Sequence, residues 1–365
     1  MKSKPEERDD AARRLFGRVG DLPVFFAFCD DLLCQENDFL LRLNNQNAGD
    51  QLTYKNILHV VDILKHNPQM TKNETFQSLC EGASFSSRIE KIINLAVQAM
   101  VMIDCAANRH HATDFNLGGH RPISWLSQEK YVDFVERSFP VGCELSMKRA
   151  DETVEDKASM KAWKLQKRLG ISFRGTDNLA EHLLFDPKSN CLYLFHHAKF
   201  LKAHLENCRS HNRPLGMSLL ESLKVGTVPP QLLVETLHSI QSILFPPIDP
   251  KSASILDKLI SKRGGYFDRE CAEYEGYQIF QEPPEDFKYI YWGERLAILR
   301  ELLKNRPPRN KLERWLRWQT SESNALFVAL LALLISICVG IISIVLACVQ
   351  IWIGWMAWKH PVGQG

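Results

Sequence analysis

The chain has 365 residues, with 45 Lys and Arg against 43 Asp and Glu, and this formal charge of +2 excludes a polybasic nucleic-acid reader or an acidic tail as its general character. The balance hides one asymmetry, because the run from Asn324 to Trp358 holds no Asp, Glu, Lys or Arg. What remains exceeds the roughly 100–200 residues of one ordinary domain, so a full core and two lobes are expected.

Lys2, Lys4, Glu6, Glu7, Arg8, Asp9, Asp10, Arg13, Arg14 and Arg18 crowd the first residues and leave no room for the apolar core of a signal peptide. Apolar residues then recur at i, i+3, i+4 spacing over 23–44, 54–66, 87–105, 128–139, 158–169, 231–244, 252–260 and 287–304, which predicts helices. Start signals stand at Thr71 with Glu74, at Ser127 before Gln128, and at Asp249-Pro250 before Ser252. The best strand is CLYLFH at 191–196, entered by the turn Asp186-Pro187-Lys188-Ser189-Asn190 and followed by a helix over 199–208. The expected fold class is mainly α: a multi-helical cytosolic body with at most one short strand or hairpin, plus one C-terminal transmembrane helix.

A polar stretch over 141–156 marks a border, so residues 1–150 are expected to form an N-terminal helical lobe and 151–299 a second helical lobe. Residues 300–323 form a basic juxtamembrane collar, in which Arg300, Lys304, Arg306, Arg309, Lys311, Arg314 and Arg317 outnumber Glu301, Glu313 and Glu322. Residues 324–358 form the transmembrane helix with its interfacial ends, and 359–365 a short non-cytosolic tail. The apolar run Leu326 to Val349 is ~36 Å of helix, against a hydrocarbon thickness of about 30 Å, and contains neither Pro nor a polar stripe. Cationic flanks stay inside, so the large N-terminal part is expected in the cytosol, with the collar near anionic headgroups. Trp315 and Trp318 before the span, and Trp352, Trp355 and Trp358 after it, suit two interfacial aromatic belts. With so short an ending, the segment is expected to be a tail anchor, inserted after translation.

Small residues Ala329, Ala332, Ser336, Gly340, Ser343 and Ala347 follow one stripe of that helix, a seam along which a second copy would form a homodimer. Ten cysteines without a CxxC pair read as buried thiols of a reducing compartment, and the sequon Asn73-Glu74-Thr75 is expected to stay unmodified there.

Nucleotide, kinase, zinc-protease and serine-hydrolase motifs are missing from the sequence. His182, Cys191, His196, His197, His204, Cys208 and His211 fall close together in the chain. His204 and Cys208, four apart on a helix, share a face, and with His197 and His211 they are the candidate zinc ligands, set against the simpler reading of core thiols and hydrogen-bonding imidazoles. A looser group is Asp104, Cys105, His110, His111, Asp114 and His120, read as a polar loop. The basic residues over 148–174 alternate with acids and read as a solvated face rather than a phosphate site.

The blocks FRGTDNLAEHLLFDPKSNCLYLFHHAKFLKAHL (173–205), PPQLLVETLHSIQSILFPPIDPKS (229–252), YWGERLAILRELLKNRPP (291–308) and WIGWMAWKHP (352–361) resemble uncharacterised single-span proteins of filamentous ascomycete fungi. The resemblance covers most of residues 90–361 and implies a C-terminal anchor, without an activity, cofactor or catalytic residue. The expected function is a membrane-anchored, cytosol-facing interaction or scaffolding module with an unidentified protein partner and the lipid bilayer as its surroundings. No cofactor and no nucleic acid is expected. The alternative is a membrane-tethered enzyme, zinc-dependent through the 182–211 region. An internal membrane is expected, the endoplasmic reticulum ahead of the mitochondrial outer membrane.

Overall fold

A computed structural model describes residues 3–44, 52–80, 87–106, 120–142, 148–149, 151–152, 158–261, 267–273, 287–305 and 325–359. Among them are thirteen α-helices and three short strands, so the chain is mainly α as its spacing predicts.

The first helix, α1 (Pro5–Phe16), escapes the periodicity reading because its surface is almost wholly charged. Ala11, Ala12, Leu15 and Phe16 nevertheless fall on one buried face. It stops at Gly17, whose φ of +75° suits glycine, and a Cβ there would sit 3.0 Å from the Asn207 side-chain oxygen. Then follow α2 (Pro23–Asn44), α3 (Tyr54–His66), α4 (Lys72–Leu79), α5 (Ser87–Val101) and α6 (Tyr131–Ser138). At α4 the start signal becomes a reciprocal cap: the Glu74 N–H donates to Thr71 Oγ1 at 3.1 Å, and the Thr71 N–H to Glu74 Oε2 at 2.7 Å.

Beyond them lie α7 (Ala162–Leu169), β1 (Ser172–Thr176), β2 (Phe185–Asp186), β3 (Cys191–Phe195), α8 (Ala198–Ser210), α9 (Leu219–Val225), α10 (Pro230–His238), α11 (Pro250–Ser261) and α12 (Gly293–Asn305). The helix predicted over 231–244 is α10 continued by a π-helical stretch, Ser239–Leu244, and nearly every residue of it is buried. Asp186 accepts the Lys188 and Ser189 N–H groups at 3.1 Å each, so the predicted turn closes a β2–β3 hairpin. The sheet also holds β1, which pairs with β3 in parallel in the order β1-β3-β2. Strand β1 goes unmarked in the sequence, because SFRGT offers a single large apolar residue, Phe173, too few for an alternation to show.

Residues Met1–Lys304 form one compact unit and Asn305–Gly365 a second. The border expected near residue 150 lies inside the first unit, where α1 packs on α8, α3 packs on α9, and α9 also packs on α6. Phe16 of α1 meets Phe25 of α2 and Phe200 of α8 edge to face, with ring centroids 5.4 and 5.6 Å apart. Each such pair contributes about 0.5–1.5 kcal/mol beyond area burial, so the two halves share a core.

A buried carboxylate ties α10 to α12. Glu235 Oε1 accepts the Ile290 N–H at 2.6 Å and Gln231 Nε2 at 2.9 Å, and Oε2 accepts the Tyr291 and Trp292 N–H groups at 2.9 Å each. Trp292 Nε1 donates to Thr236 Oγ1 at 2.8 Å.

Candidate functional site

In the parallel pair, Thr176 stands opposite Phe195. The next residues, Asp177 and His196, therefore leave the sheet at the same end, and His197 follows just before α8 begins at Ala198. The carboxyl ends of neighbouring parallel strands are where loops converge and α/β proteins place their ligands. Here they bring three polar side chains together. Asp177 Oδ1 lies 3.1 Å from His196 Nε2 and 2.7 Å from His197 Nε2. The imidazoles are 4% and 1% exposed, whereas Asp177 is 45% exposed, so solvent reaches the group from the carboxylate side.

Aromatic packing sets the ring positions. The two imidazoles stack on each other at 4.3 Å, His196 also stacks on Phe267 at 5.3 Å, and His197 touches Phe28 and Phe195 at 5.5 Å each. Gly175 lies under His196, where a Cβ would come within 2.8 Å of the ring. The Cys271 thiol donates to the His196 carbonyl at 3.2 Å, and Asp268 accepts the Lys199 N–H at 2.8 Å, which fastens residues 267–271 over the start of α8.

Burial pushes His197 down to about 4, so its ring is neutral at physiological pH. Burial acts to raise the Asp177 carboxyl, but the hydrogen bonds from His196 and His197 outweigh it and hold the group well below the usual carboxylate range. An ionised carboxylate only accepts, so each Nε2 carries the proton and donates. The Nδ1 atoms of both rings are buried without a partner among the described residues.

Of the four residues proposed as zinc ligands, only His197 belongs to this group. His204 lies between Phe16 and Phe200 at 4.7 and 4.5 Å, buried and with neither ring nitrogen bonded among the described residues, and burial pushes it down to about 3. Cys208 is buried as a neutral thiol, its pKa raised by burial. His211 is exposed at the end of α8, with Nδ1 2.8 Å from the Asn207 carbonyl. Helical spacing put His204 and Cys208 on one face correctly, but that face is the core. His196 stands in the wider histidine group of the sequence, whereas Asp177 carries no signal there because nothing in SFRGT marks β1 as a strand. In the looser group, Cys105 donates to Asn94 Oδ1 at 3.3 Å and burial raises it to about 12, while His120 is lowered to about 4 by burial and by Arg295. His110, His111 and Asp114 lie outside the described residues.

One pair imitates a catalytic dyad. His182 Nε2 lies 2.8 Å from Ser239 Oγ, but His182 Nδ1 accepts the Phe195 N–H at 3.2 Å, so Nε2 holds the proton. The serine hydroxyl in turn donates to the Thr236 carbonyl at 2.7 Å. The imidazole is a donor here and takes no proton from the serine.

The last helix, α13 (Ala325–Lys359), contains the segment Ala329–Met356, long enough and apolar enough to cross a membrane at a mean hydropathy of 3.0, and none of it is buried within the structure. Trp352 and Trp355 are exposed, and Lys359 Nζ lies 4.8 Å from the Trp355 ring centre. Along the small-residue seam, Ser336 and Ser343 donate back to the Ala332 and Val339 carbonyls at 3.0 and 2.9 Å, which satisfies both hydroxyls in an apolar medium. Among the described residues, nothing lies within 4 Å of a Cβ placed at Gly340. Lys304 is exposed at the end of α12, whereas Arg306, Arg309, Lys311, Arg314, Arg317, Trp315 and Trp318 lie outside the described residues, as does the Trp358 side chain. Compared with protein-family models, curated proteins and solved structures, the chain matches none.

Proposed function

We propose that the chain is a membrane-anchored protein whose body, residues 1–304, works at the cytosolic face of an internal membrane as an interaction module. The observation that carries the anchor is α13, whose segment Ala329–Met356 is uncharged, has a mean hydropathy of 3.0 and is long enough to cross a membrane. The excess of basic residues over 300–323 favours a cytosolic body. Two observations support binding over turnover. The thiols of Cys29, Cys105 and Cys271 are buried and raised by burial, which suppresses the nucleophilic thiolate. The His182–Ser239 pair has its protons directed away from nucleophile activation. The alternative, a membrane-tethered enzyme, draws support from the Asp177, His196 and His197 cluster.

The full chain should stay with alkali-washed membranes, and a chain truncated after Ser323 should be released. Protease added outside sealed organelles should digest the body, and Asn73 should carry no glycan. A truncated chain that still pellets, or a protected body, removes the proposal. Proximity labelling from the N-terminus separates endoplasmic reticulum from mitochondrial outer membrane and identifies protein neighbours. Labelling confined to lumenal proteins contradicts the orientation.

A further inference from the structure

Two imidazoles and one carboxylate whose donor atoms lie within 4.8 Å of one another have the outline of a coordination site. We infer that Asp177, His196 and His197 bind a divalent transition-metal ion of the zinc or cobalt(II) type, the ion replacing the hydrogen bonds that the three side chains make to one another. The inference goes beyond the anchored-module reading and does not depend on membrane topology.

The donor set is nitrogen, nitrogen and oxygen without a thiolate, which suits zinc and its first-row neighbours rather than magnesium or calcium. A tetrahedral ion with bonds of ~2.0–2.1 Å keeps its ligand atoms ~3.3 Å apart. The observed separations from Asp177 Oδ1 are 3.1 and 2.7 Å, so along these two edges a small retreat of the carboxylate makes room for the ion. Asp177 is the side chain able to do so, being 45% exposed, while the imidazoles are held by Phe267, Phe28, Phe195 and each other.

Metal binding at Nε2 requires the ring proton to move to Nδ1. In both rings Nδ1 is buried with no partner among the described residues, so the change of tautomer breaks no hydrogen bond seen at that atom. Metal-bound imidazoles are usually oriented by an outer hydrogen bond; ring stacking and the Gly175 floor take that part here. Three protein ligands with one solvent-reached side leave a fourth position for water, the pattern of an open rather than a closed metal site.

The test uses the full-length chain in detergent, free of affinity-tag histidines and stripped with a chelator, titrated with zinc or cobalt(II) against a chromophoric chelator. The expected result is one equivalent bound per chain. The cobalt form should show visible absorption of a nitrogen and oxygen environment without thiolate charge-transfer bands. Asp177→Asn, His196→Gln and His197→Gln should each weaken binding more than ~10-fold. His204→Gln and Cys208→Ser should leave it unchanged. Zinc should raise the melting temperature of the wild type and not of Asp177→Asn. Where a histidine variant fails to fold, Asp177→Asn decides alone, since its side chain is half exposed. Equal affinity in Asp177→Asn and wild type, no bound equivalent in the wild type, or thiolate bands in the cobalt spectrum would each overturn the inference.

Discussion

Replacing Glu235 with Gln isolates the one buried carboxylate that bridges α10 and the start of α12. Its two oxygens receive four N–H donors, three of them consecutive backbone groups at 290–292. Burial nevertheless raises the carboxyl from the ordinary 4.5 to about 7, so desolvation of the charge outweighs those donors. A carboxyl whose pKa is higher in the folded than in the unfolded state contributes stability that is complete below about 4.5 and is lost as pH rises through about 7. Between pH 5 and 8.5 the loss amounts to roughly 2–3 kcal/mol at 1.36 kcal/mol per pKa unit. Tyr289 and Tyr291 face the same carboxylate and are raised by burial, Tyr291 to about 12, so neither titrates in this window. His238, whose Nδ1 lies 2.7 Å from the Tyr289 hydroxyl, and Glu136 are the further ionisable neighbours and are shared by both proteins. Gln keeps the neutral shape but turns an amide toward N–H donors, leaving one or two unsatisfied at about 1–3 kcal/mol each. Thermal or urea unfolding across that pH range should show the variant less stable than wild type at pH 5, with the gap narrowing by about 2–3 kcal/mol toward pH 8.5. Two stability profiles that run parallel across the range would refute the assignment of this pH dependence to Glu235.

Gly175→Ala should cost about 1–3 kcal/mol in chemical denaturation, because the new methyl meets the His196 ring at 2.8 Å and Phe267 at 3.1 Å. His204→Leu should be neutral or stabilising by about 1–2 kcal/mol, since it removes two unbonded buried nitrogens from the Phe16–Phe200 cage; a clear destabilisation would show that the imidazole has a partner. Ser218→Ala should lower stability by about 1 kcal/mol through loss of the reciprocal cap with Glu221 on α9. Ile342→Arg, at the middle of the apolar segment, adds about 3 kcal/mol to insertion and should shift part of the protein from the membrane to the soluble fraction.

Periodicity found α2, α3 and α5 because each carries an apolar stripe that survives inspection without knowledge of neighbours. It missed α1, where so few apolar residues suffice because the partner helices supply the rest of the core. Strand β3 and the turn before it were legible from a run rich in Asp, Pro and Asn ahead of CLYLFH, whereas β2 was not. Strand β1 was not, because a parallel strand is recognised by what it pairs with.

The amino-acid order alone determined that the chain is mainly helical, that an uncharged segment long enough to span a bilayer lies near its end, and that basic residues cluster before it. These are local properties, fixed by propensity and by transfer from water to an apolar phase over contiguous residues. Tertiary structure alone decided that residues 1–304 share one core and that Asp177 meets His196 and His197, since both depend on which strands become neighbours. It also placed His204 and Cys208 in that core and away from the cluster, because a shared helix face says which residues travel together and leaves open what they meet.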